Sequence, residues 1–89
     1  MAYKLIYRLY TEDKNKREIL RLVAKQFQSF TLQPTLGYYR GKHERSIVIE
    51  IVGAAKRDVN AIARVIGAMN GQKSVLVLTL QGQAKTTRT

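Results

Sequence analysis

From residue 3 to residue 10, Tyr3, Leu5, Tyr7 and Leu9 alternate with Lys4, Ile6, Arg8 and Tyr10. A period of two is that of a strand whose two faces meet different surroundings, and β-forming residues dominate, so the segment is predicted as a first strand. Residues 11–14 are a polar break. Asn15, with Glu18 three residues on, has the form of a capping box. The spacing then becomes helical: Ile19, Leu20, Val23 and Phe27 share one face of a helix that ends near Ser29.

Pro34 interrupts the next connection and biases the residue before it toward extended geometry. A second strand is predicted over 35–40, a hairpin turn over 41–43, and a third strand over 46–52, the most β-branched run of the chain. Gly53 punctuates. A second helix spans about 56–69 with Val59, Ile62, Ala63, Ile66 and Met69 inward, and Asn70-Gly71 ends it as a left-handed cap. Residues 73–80 read as the last strand and 81–89, with Lys85 and Arg88, as a polar tail, leaving one domain over 1–80.

The order βαββαβ predicts an α+β, ferredoxin-like fold, a four-stranded antiparallel sheet with both helices on one face. Its strand order is 4-1-3-2, so the first and third strands are central. Residues 75–80, Val-Leu-Val-Leu-Thr-Leu, are apolar toward both faces although they lie at a sheet edge. Helices cover only one face. The other needs a cover against aggregation, which predicts a homo-oligomer, a dimer or trimer, with its sheets packed together.

Composition narrows the chemistry. The 89 residues contain no cysteine, which removes disulfides, thiolate catalysis and cysteine metal sites, and the one histidine, His43, does not build a metal site alone. No secretory leader and no apolar run long enough for a bilayer is evident, so a cytoplasmic protein is expected, with no membrane partner. Sixteen basic residues against six acidic give a formal charge of +10, which favours anionic partners, nucleic acid first. The basic residues are dispersed, though, with Lys14, Arg17, Arg21 and Lys25 the one helical stripe, readable as a solvated face.

Scarce acids in unexpected places then gain weight. Alternation sends Ile47, Ile49 and Ile51 toward the helices and Glu44, Ser46, Val48 and Glu50 to the opposite face. Tyr38 and Tyr39 point to opposite sides of the second strand, one expected in the core and one on the open face near Glu44. A mid-strand carboxylate such as Glu50 is expected to be paired or functional if an oligomer buries it. A glycine-rich phosphate loop, a Ser/His/Asp constellation and metal-ligand spacing are all missing. The third strand lacks the stacking aromatics of RNA-recognition modules. Nor does an arginine-bearing phosphate loop follow the first strand, as an acylphosphatase needs.

The run Gly37-Tyr38-Tyr39-Arg40, the turn, Glu44-Arg45-Ser46-Ile47, and then Gly71-Gln72-Lys73-Ser74-Val75-Leu76-Val77 resembles the phage-encoded S-adenosylmethionine lyases in order and spacing. The resemblance implies a homotrimer in the host cytoplasm, with a substrate pocket between subunits and no metal or other cofactor. It implies cleavage of S-adenosylmethionine to methylthioadenosine and homoserine lactone by the substrate's own carboxylate, which in phage biology depletes the methyl donor of restriction–modification. By the same resemblance Glu44 is the catalytic carboxylate, holding the substrate ammonium. Tyr39 is its aromatic partner beside the adenine or sulfonium, worth about 0.5–2 kcal/mol as a cation–π contact. Tyr38, Arg40, Ser46 and Glu50 are the further substrate-binding candidates. The alternative is a noncatalytic nucleic-acid-binding module; a third reading is a protein that retains a nucleotide-like ligand without turnover.

Overall fold

The computed structural model describes residues 2–84, with side chains for 4–82. Strand β1 (Ala2–Glu12) leads through helix α1 (Lys16–Gln26) to β2 (Thr31–Tyr39). Strand β3 (Lys42–Val52), helix α2 (Lys56–Met69) and β4 (Leu76–Ala84) follow. The sheet order is β2-β3-β1-β4 and all three pairings are antiparallel, as the βαββαβ pattern predicts.

Alternation decides the core. Tyr7 and Leu9 of β1 and Ile47, Ile49 and Ile51 of β3 are fully buried against Ile19 and Val23 of α1 and Val59, Ile62 and Ile66 of α2. Burying each such side chain contributes roughly 1.5–3 kcal/mol. Two positions expected inward are not. Leu20 is exposed because Ile19 and Val23 already fill the inward line of α1, and Met69 is exposed because Gly67 takes the last inward position of α2. A Cβ on Gly67 would come within 3.3 Å of Val75, so glycine lets the lead-in to β4 close on the helix.

Strand β2 begins at Thr31 rather than at 35, with Pro34 inside it opposite Ile47. An edge strand tolerates proline because an N–H turned to solvent is not missed from the ladder. Strand β4 begins at Leu76 and continues past Leu80 to Ala84, so Gln81 and Gly82 are strand residues; residues 85–89 of the expected tail lie outside the described residues.

Asn15 does precede α1, but it sits in the left-handed region at φ 54° and makes no side-chain cap, so the expected capping box does not form. Its Nδ2 instead donates to Asn70 Oδ1 at 2.9 Å, at the end of α2. There Gly71, at φ 68°, and Gln72 send their N–H groups back to Ala68 and Gly67, a Schellman ending of the kind Asn70-Gly71 predicts. Buried Asn70 donates to Thr11 Oγ1 at 3.0 Å, and Thr11 donates to Gln72 Oε1. One polar knot therefore ties the end of β1 to the start of α1 and the end of α2. Asn70→Ala strips partners from Thr11 and Asn15 and should cost about 1–3 kcal/mol, read from the urea midpoint at unchanged m-value.

Candidate functional site

The β2–β3 hairpin turns on Arg40 and Gly41, not on residues 41–43. Both have positive φ, 51° and 77°, and Tyr39 pairs with Lys42. Such a two-residue turn follows the twist of the strands it joins. Lys42 and His43 are thereby strand residues, and the hairpin fixes which side each tyrosine takes. Neither tyrosine is core: Tyr38 is 68% and Tyr39 58% exposed, because this end of the hairpin reaches beyond the helices.

Tyr38 lies on the helix-side face, edge-to-face with His43 at 4.5 Å between ring centroids. Tyr39 shares the open face with Lys42, Glu44, Ser46, Val48 and Glu50. The Arg40 guanidinium lies 5.3 Å from the Tyr39 ring centroid. Glu44 stands opposite Gly37, so no side chain crosses from β2 directly beside it. Ser46 meets Thr35 hydroxyl to hydroxyl at 2.7 Å. Glu50 accepts from Arg8 Nε at 2.7 Å. That hydrogen bond, and then the carboxylate's charge, holds the Arg8 guanidinium above its ordinary pKa.

Beside Glu44, where β1 ends, is a cleft of about 260 Å³ lined by Glu12, Asp13, Lys14, Glu44 and Arg45. Three of the chain's six acidic residues converge here in a protein of charge +10. Lys14 pairs with Glu12 at 2.8 Å and Lys16 with Asp13 at 3.6 Å, whereas Glu44 has no ion-pair partner among the described residues. The candidate list from sequence lacked Glu12 and Asp13. Their signal was the antiparallel register of β1 on β3, which sets Glu12 opposite Ser46 and carries Asp13 to a backbone bond with Arg45 at 3.3 Å.

The open face is divided. On the β2–β3 side it is polar, with Thr31, Gln33, Thr35, Ser46 and Glu44. On the β4 side Leu76, Leu78 and Leu80 stand opposite Tyr10, Arg8 and Ile6 and are 57%, 39% and 39% exposed. Arg17, Arg21 and Lys25 are exposed on α1, on the other side of the sheet, while Lys14 belongs to the acidic cleft. No group of three or more His, Cys, Asp or Glu side chains among the described residues is placed to hold a metal ion. No described helix is long and apolar enough to cross a membrane.

No protein-family profile matches the chain, and no curated protein matches it in sequence. Its fold is found in solved structures. A DUF3240 family protein from Shewanella baltica OS155 superposes with a TM-score of 0.71 at 14% identity, covering 100% of both chains. CutA1 from Oryza sativa gives 0.59 at 11% identity over 96% of this chain and 84% of that one. A phage SAM lyase in complex with S-methyl-5′-thioadenosine gives 0.54 at 17% identity over 91% and 90%. At such identities the likeness establishes the α+β ferredoxin-like fold, and it is shared by proteins of different names.

The hairpin turn yields a direct test. A non-glycine residue in the left-handed region is disfavoured, whereas Asn-Gly suits a turn with two positive φ values. Arg40→Asn should raise stability by about 0.5–1 kcal/mol in urea denaturation; a loss would show that the Arg40–Tyr39 contact outweighs the backbone term.

Proposed function

We propose that the protein is an S-adenosylmethionine lyase whose site is built around Glu44 and Tyr39 and closed by a neighbouring copy in a homotrimer. The observation that carries the reading is the Glu44 carboxylate, left without an ion-pair partner among the described residues in a cleft whose other two acids are bridged to lysines: a cationic substrate needs local negative charge, which the overall charge of +10 does not supply. The match in fold to a lyase that binds S-methyl-5′-thioadenosine supports it. So does the apolar β4 half of the open face, which a partner subunit would cover while walling the polar half into a pocket.

In this reading Glu44 accepts hydrogen bonds from the substrate ammonium and leaves the substrate carboxylate free. A carboxylate oxygen forms a bond to Cγ, the Cγ–sulfur bond breaks with its electron pair returning to sulfur, and the two opposite charges vanish together. Methylthioadenosine leaves neutral and homoserine lactone remains. No proton moves in that step, so no general base is required. A dry pocket disfavours the separated charges more than the transition state in which they merge, and holding the methionine chain folded supplies the proximity term. Tyr39 borders the Glu44 end of the site with the Arg40 guanidinium 5.3 Å from its ring centroid, Tyr38 stands on the opposite face of the hairpin, and Ser46 is oriented by Thr35. Glu50, neutralised by Arg8, acts through that pair and not as a second free acid.

The test is product formation. Purified protein incubated with S-adenosylmethionine should yield methylthioadenosine on chromatography, and Glu44→Gln should lower kcat/KM by at least tenfold. No product from the wild type, or undiminished product from Glu44→Gln, contradicts the assignment.

A further inference from the structure

A second recess of about 290 Å³ lies on the open face two residues further along β3 from Ser46; the roles above use Arg8, Glu50 and Thr35 of its lining but not Tyr10, Gln33 or Val48. Its floor is Val48, half-buried. Directly across on β2 stands Gln33 and directly across on β1 stands Tyr10, so an apolar floor lies between a carboxamide and an aromatic ring. Arg8 and Glu50, paired at 2.7 Å, line one end with Thr31, and Thr35, whose hydroxyl meets Ser46 at 2.7 Å, lines the other.

These pairings define what the recess accepts. The two charged groups lining it neutralise each other, so a free phosphate or a free ammonium meets no net counter-charge there. A flat uncharged ring fits the floor and stacks against Tyr10, as bases do on aromatic side chains. The Gln33 amide carries donors and an acceptor side by side. That is the complement of a ring with adjacent donor and acceptor, as in the bidentate pairing of glutamine with adenine.

We propose that this recess binds a purine ring of the adenine type, with Val48 as floor, Tyr10 as stacking wall and Gln33 reading the ring edge. Val48 is four residues from Glu44 on an extended strand, about 13 Å at roughly 3.3 Å per residue. One substrate can therefore place its base at Val48 and its amino-acid end at Glu44. This alignment rests on the lyase reading; the recess itself does not.

The experiment is calorimetric titration of the intact protein with adenosine and with cytidine, in the wild type, Gln33→Leu and Val48→Trp. Adenosine should bind at least fivefold more tightly than cytidine. Gln33→Leu should weaken adenosine at least fivefold, and Val48→Trp should abolish binding by filling the floor. Gln33 is exposed on an edge strand, so its variant remains informative should Val48→Trp misfold. Absence of adenosine binding, or adenosine binding unchanged in Gln33→Leu, overturns the recess. S-adenosylmethionine turnover with unchanged KM in Gln33→Leu overturns it too while leaving the lyase reading intact. Adenosine binding without turnover supports the recess and removes the lyase.

Discussion

Two helices cover one face of a four-stranded sheet, and no element among the described residues covers the other. That constraint organises the molecule. Because strand residues alternate, each β3 isoleucine committed to the core commits its neighbour to the open face: Ile47, Ile49 and Ile51 inward set Ser46, Val48 and Glu50 outward. A register slip of one residue would bury Glu50 and expose the isoleucines, so the hydrophobic core itself fixes the chemistry of the outer surface.

The open face then divides by strand. β4 is the apolar edge, and its partner β1 adds Ile6; β2 and β3 are the polar half, whose hairpin carries Tyr39 and Glu44 past the helices. Electrostatics sharpens the division. Salt screens exposed charges beyond about 8–10 Å, so the overall +10 matters less at the cleft than the balance of Glu12, Asp13 and Glu44 against Lys14, Lys16 and Arg45 beside them. With Glu12 and Asp13 bridged to lysines and Glu44 unbridged, the cleft keeps one carboxylate available to a cation.

The sequence made much of this legible. The bounds of α2, its Asn70-Gly71 ending, the strand order and the outward set on β3 all follow from periodicity, because each is dictated by core burial or by a local turn residue. The differences arise where tertiary partners replace local signals. Asn15 has the composition of a helix cap, yet Asn70 takes its donor. Pro34 reads as a break, yet an edge strand accommodates it. The two tyrosines read as one in and one out, but the hairpin outruns the helices and leaves both exposed. Glu12 joins Glu44 only through the β1–β3 register, a long-range fact that no local pattern announces.

The central claim is that the open face is completed by another copy of the chain. Sedimentation equilibrium of the native protein at micromolar concentration tests it most directly. The account predicts a mass of three chains, each 10.1 kDa. A monomer throughout the micromolar range would contradict it, leaving the β4 leucines in water and the Glu44 cleft without its second wall.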